Sequence, residues 1–175
     1  MKVGTLLALT LSALIWSCAT PQQCKDPTGE GKGQPPAILD AYAASVIRPG
    51  GTWRIHLIAK DADGDMKDIV AVLTQTGVAP YPTSFTPVRP EDSKELEGYL
   101  YLNTPVRDRG LIDDRLNLRV FVRDCQGNKS EAVEFPCRFD YGPPQEIPKR
   151  WKEMADHRLG AIMIDIEGSQ PDRSL

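Results

Sequence analysis

Residues 52–75, TWRIHLIAKDADGDMKDIVAVLTQ, leave few options other than two strands joined by an acidic turn. Trp53, Ile55, Leu57 and Ala59 fall on one face of the first arm, and Arg54, His56 and Lys60 on the other. That period of two marks a half-buried strand. Asp61-Ala62-Asp63-Gly64-Asp65 then breaks the pattern with residue types that bond their own backbone and tolerate left-handed geometry. The second arm, Ile69-Val70-Ala71-Val72-Leu73, is apolar on both faces, which predicts a place inside a sheet.

The flanking chain repeats this pattern. Residues 37–47 open the globular part, and Pro49-Gly50-Gly51 turns the chain into the Trp53 strand. Residues 76–95 carry Pro80, Pro82, Pro87 and Pro90, each lacking a ladder donor, so they admit only a short edge strand near 84–88. Residues 96–102 and 115–123 alternate cleanly, Gln126-Gly127-Asn128 is a turn signal, and residues 130–139 return as a last strand. About seven short strands over roughly 100 residues predict an all-β fold, an antiparallel immunoglobulin-like β-sandwich. Fifteen Pro and fourteen Gly in short clusters fit a loop-rich β protein better than a helical bundle.

Two turns sharpen the expectation. Residues 59–65, AKDADGD, resemble the A-x-D-x-D-G-D turn of bacterial and cadherin-like sandwich domains. Residues 122–130, VRDCQGNKS, are similar to the V-x-D-x-x-G-N-x-S turn of bacterial Ig-like domains. The resemblance spans residues 37–140. Beyond Tyr141-Gly142-Pro143-Pro144 a C-terminal appendix is expected over residues 142–175. Trp151, Ala155 and Leu159, with Met154 beside them, give one apolar face to a short helix that Gly160 stops. Ile162, Ile164 and Ile166 then alternate with Met163, Asp165 and Glu167 as an extra strand, and the last eight residues read as a tail.

The N-terminus is read as an address. Lys2 precedes an apolar run over residues 3–16 that is too short and wrongly flanked for a membrane span. Leu14-Ile15-Trp16-Ser17-Cys18 resembles the lipobox of bacterial lipoproteins. The resemblance implies removal of residues 1–17, then thioether diacylglycerol and N-acyl groups on Cys18. Each buried CH₂ contributes ~0.8 kcal/mol, so two or three chains make the attachment effectively permanent. Ala19 follows the acceptor where many inner-membrane lipoproteins carry Asp, which by the same resemblance favours the outer membrane. Residues 19–36 are rich in Pro, Gly, Gln and charge and read as a flexible tether, with a reach of roughly 60 Å when fully extended. The expected organisation is signal peptide 1–17, lipidated cysteine and tether 18–36, sandwich 37–141, appendix 142–175.

The expected partners are therefore a membrane, through the lipid, and an envelope component of unspecified identity. A net charge of −3 without a Lys/Arg cluster argues against nucleic acid. Three cysteines remain in an oxidising compartment, which suits one disulfide and one spare thiol. Cys137 lies roughly 30 Å along its strand from the Cys125 turn, too far for a bond between them. Cys24 on the tether can reach either, with Cys24–Cys125 preferred because the tether joins the sandwich at the Cys125 end. Zinc is not expected, because no pair has close ligand spacing and the two His lie far apart.

Catalysis finds no constellation. His56 and His157 read as surface residues, and Asp63 and Asp65 as solvated turn carboxylates. Calcium is the sharper alternative for the acidic turn. The turns after the second and sixth strands share one end of an Ig-like sandwich, bringing Asp61, Asp63 and Asp65 near Asp124 and Asn128 as potential oxygen ligands. It is not an EF-hand loop, because Met66 stands where Gly is needed and Val72 where Glu should be. Turn geometry alone explains the same residues and is preferred. No other cofactor is expected. Tyr81 and Phe85 on the Pro-rich loop, with Trp151, are candidate partner-binding residues, expected to gather at the end opposite the tether; packing of the appendix is the plainer reading of the same rings. The function expected is a lipid-anchored envelope protein whose Ig-like module binds or supports without catalysing.

Overall fold

The computed structural model describes residue 24 and residues 33–105, 115–154 and 156–166. The expected signal peptide, Cys18, Ala155 and the C-terminal tail lie outside the described residues. Among the described residues, nine strands form two packed sheets. They are β1 (Ala37–Ala43), β2 (Val46–Ile47), β3 (Thr52–Lys60), β4 (Met66–Gln75), β5 (Ser84–Pro87), β6 (Glu95–Asn103), β7 (Arg115–Asp124), β8 (Val133–Phe139) and β9 (Arg158–Ala161), with helix α1 (Lys149–Glu153) before the last. One sheet has the order β1-β3-β6-β9 and the other β2-β8-β7-β4-β5. Pairing is antiparallel except at β2–β8 and β6–β9. A first strand that pairs in one sheet and continues, after a two-residue break, into the other is an Ig-like device, and the fold is an Ig-like β-sandwich.

The alternation of β3 works as expected on its inner face, where Trp53, Ile55, Leu57 and Ala59 are fully buried. They meet Ile69, Ala71 and Leu73 of β4, Leu116, Leu118, Val120 and Val122 of β7 and Phe135, Cys137 and Phe139 of β8 in one core. β4 lies between β7 and β5, and on its outer face Val70 is buried between its cross-strand partners Phe121 and Phe85. Pro136 interrupts no ladder in β8, because it pairs with Asn117 on one side while β2 covers only Arg138 and Phe139 on the other.

The appendix differs from the expectation. Helix α1 is a short turn ending at Glu153, and Leu159 and Gly160 belong to β9 instead of continuing or stopping a helix. β6 offers an open edge, and its backbone groups outweigh a weak helical pattern by pairing with residues 158–161. Gly98 makes the approach possible, since a Cβ there would collide with the carbonyl of His157 and the Leu159 side chain. Gly160 is likewise a close-approach position, lying against Thr86, whose hydroxyl donates to the Ala161 carbonyl at 3.0 Å. The expected strand over residues 162–166 pairs only through the Ile162 amide to Tyr101. Its alternation survives in burial: Ile162, Ile164 and Ile166 pack into the core while Met163 is exposed.

Candidate functional site

Two regions concentrate polar chemistry, the acidic end of the sandwich and the outer face of the four-stranded sheet.

At the acidic end the two turns do meet. The Cys125 amide donates to the Asp65 carbonyl at 3.0 Å, and Met66 pairs with Asp124. Asp61 is buried and accepts the amides of Asp63 (3.2 Å) and Asp65 (3.1 Å), while Gly64 takes φ 73° to close the loop. Asp124, also buried, accepts the amides of Gln126 (2.9 Å) and Asn128 (2.8 Å), and the Asn128 side chain donates to its other oxygen at 2.8 Å. These are the bonds by which Asp shapes a turn. Asp63 is exposed and accepts the Gln34 amide at 2.7 Å, so the last tether residues lie along the sandwich. Asp65 is crowded: burial, a side-chain hydrogen bond with Asp61 and the charges of Asp61 and Asp124 push its pKa up to about 6, against a smaller downward pull from Gln126. Its Oδ1 is buried without a hydrogen-bond partner. Among the described residues no group of three or more His, Cys, Asp or Glu has an arrangement suited to a metal ion.

The same end carries the disulfide. Cys24 and Cys125 are bonded, with Cα atoms 5.4 Å apart, across a sequence separation of 101 residues. Cys137 is a buried free thiol whose pKa burial pushes up to about 12.

The outer face of the four-stranded sheet is unlike the sequence reading. His56 is not at the surface: it is 1% exposed. Its ring sits among Tyr42, Tyr99 and Trp151, with centroids 6.3, 5.8 and 5.6 Å away. Period-two alternation places His56 off the core face; it says nothing about what covers the other face, and here α1 covers it. Trp151 stacks on Tyr42 at 6.1 Å and 17°. Neither ring nitrogen of His56 has a hydrogen-bond partner, and burial, then the Arg54 charge, lower its pKa. His157 is exposed as expected, but follows the helix, bridging the Glu97 carbonyl and the Arg89 guanidinium at 2.6 and 3.1 Å.

The three candidate partner-binding residues do not gather at one end. Trp151 covers the outer face of the four-stranded sheet. Tyr81 packs on the core and donates to Gln75 at 2.5 Å. Phe85 is 51% exposed on β5, in the other sheet, with the Arg123 guanidinium 5.2 Å from its ring centroid. The cause is β5, which turns back along β4 toward the acidic end, so the Pro-rich connection does not stay at the far end.

Beside His56, a cleft of about 390 Å³ opens between the β1–β2 break, β3 and residues 144–147. Tyr42, Trp53, Ile47 and Ile147 wall it, and Arg48, Arg54 and His56 also line it. The Trp53 indole donates to the Ala44 carbonyl at 2.8 Å, and Gln145 accepts from the Ser45 amide at 2.9 Å, so both walls are tied to the break between the sheets. No sequence motif announces this cleft, because its sides lie about a hundred positions apart. The available signal is Pro143-Pro144 and Pro148, which keep residues 143–148 out of a central strand.

No family model matches the chain, and no curated protein matches it. Among solved structures it is similar to the PKD domain of an M14-like peptidase from Thermoplasmatales archaeon SCGC AB-540-F20, at 15% identity over 61% of this chain and 97% of that one, with a TM-score of 0.40.

Proposed function

We propose that the chain is a lipid-anchored lipoprotein of a bacterial envelope, favouring the outer membrane, whose Ig-like sandwich is a non-catalytic binding or structural module. The observation that best supports this is the Cys24–Cys125 disulfide. Such a bond persists in an oxidising compartment, which agrees with export. It also revises the mechanics of the tether. Eighteen extended residues would allow a reach of roughly 60 Å, but six residues from Cys18 to Cys24 allow only ~20 Å. With Cys18 in the lipid, the acidic end of the sandwich is held near the headgroups and the opposite end points away. The test is membrane partition: the parent protein should remain with membranes after carbonate washing, and Cys18→Ala should be released or left unprocessed. Quantitative retention of the Cys18→Ala protein would refute the anchor.

A calcium-dependent form of the module draws on the crowded Asp65, whose raised pKa and unpartnered oxygen are what a cation relieves. Its test is a rise in melting temperature with millimolar calcium that Asp63→Ala abolishes. No shift in the parent protein leaves turn geometry as the whole account.

A further inference from the structure

We propose that the cleft beside His56 is a binding site for a small carboxylate with an apolar or aromatic body. The inference builds on the domain as a binding module but not on its anchor.

The chemistry of the lining is one-sided. The chain has more acidic than basic residues, 24 against 21, yet the cleft is lined by two arginines and no carboxylate. Arg48 and Arg54 both lack an ion-pair partner among the described residues, although Asp40, Asp68, Glu95 and Asp140 all find one elsewhere. Each is nonetheless held in place. The Arg48 Nε donates to the Gly142 carbonyl at 2.8 Å, which leaves its two terminal nitrogens for a ligand, and the Arg54 guanidinium lies 5.1 Å from the Tyr99 ring centroid. A guanidinium oriented through one contact gives up less freedom when a carboxylate arrives, and its fork matches the two oxygens.

His56 supplies the second, independent observation. A polar ring 1% exposed with two unsatisfied nitrogens is costly unless something uses it. It belongs to the cleft's lining together with the exposed Arg54. Kept neutral by burial, it offers one donor and one acceptor without adding a third positive charge. The apolar walls set the rest of the ligand, because a free inorganic anion would leave the half-buried Tyr42, Ile47 and Ile147 uncovered. The volume of about 390 Å³ is at the lower end of the usual range for small-molecule sites.

The test titrates the full chain in detergent with phenylacetate and with its neutral counterpart phenylacetamide. Binding is read by tryptophan fluorescence, since Trp53 lines the cleft, and by the ring-nitrogen NMR signals of His56. Phenylacetate should saturate at about millimolar concentration or below, and phenylacetamide should bind at least about tenfold more weakly. Arg48→Gln and Arg54→Gln should each weaken phenylacetate about tenfold, whereas Arg119→Gln, on the outer face of the other sheet, should not. The His56 signals should move with phenylacetate in the parent protein, a readout that needs no variant to fold. Equal binding of the two probes, unchanged affinity in both arginine variants, or no saturation of the parent protein would each overturn the site. Cys18→Ala should leave these titrations unchanged, so failure of the anchor and failure of the cleft are separable.

Discussion

Cutting the one described disulfide should cost more than any surface contact on this chain. The perturbation is Cys24→Ser with Cys125→Ser, which removes the bond without leaving a reactive thiol. The bond closes a separation of 101 residues, and loop-closure entropy for that length gives ~4.7 kcal/mol. Measured removals in small secreted domains run about 2–5 kcal/mol, because the unbonded chain keeps some structure. What remains to hold residues 33–36 is modest: the Gln34 amide on Asp63 and the buried Pro36. We therefore expect a loss of about 3 kcal/mol, or roughly 10 °C in melting temperature for a domain of this size. Cys137 will not substitute for either partner, since it is buried with its thiol pushed up to about 12 and presents almost no thiolate. The assay is thermal unfolding of the parent and double variant, followed by near-ultraviolet circular dichroism, with and without reductant. The variant should be insensitive to reductant and match the reduced parent. A difference below about 1 °C between parent and variant would refute the claim that this bond constrains the domain.

Other consequences follow from the covered face and the acidic turn. His56 has a lowered pKa, so its contribution is complete above its ordinary 6.5 and falls as pH drops below that value, by up to ~1.4 kcal/mol per pH unit until the folded protein also takes up the proton; His56→Phe should flatten this limb in pH-dependent melting. Asp65 has the opposite sign. With a folded pKa of about 6 against 3.8, its full contribution is present below about pH 4 and is lost as pH rises to about 6, so Asp65→Asn should raise the melting temperature at pH 8 and leave it nearly unchanged at pH 4. Trp151→Ala removes the ring stacked on Tyr42 and beside His56, and should destabilise by about 3–5 kcal/mol while speeding hydrogen exchange at residues 158–161.

What could be read in the chain beforehand was what its local pattern decides. β6 and β7 alternate along their whole length and β3 on its inner face, and Asp61 and Asp124 shape their turns through bonds to amides two to four positions away. The placement of the Cys24 bond followed from reach, since a tether that joins the sandwich beside Cys125 is already near it. Local pattern failed where the decision is made across the sheet. Leu159 at a helical spacing from Trp151 could not reveal that β6 had an edge to fill, with Gly98 open to receive it. His56 gave no sign that Trp151 would close over it. Tyr81, Phe85 and Trp151 share an aromatic character but not a surface, because β5 returns along β4. The cleft was invisible for the same reason: Arg48 and Arg54 meet Ile147 only after both sheets have formed.

The anchored architecture can be read in one spectrum. The mature protein is isolated from bacterial membranes, digested without reduction, and the N-terminal peptide weighed. The account predicts a peptide that begins at Cys18, carries a diacylglycerol and an N-acyl chain, and is joined through Cys24 to the peptide containing Cys125. A peptide beginning elsewhere, or Cys18 present without lipid, would contradict it.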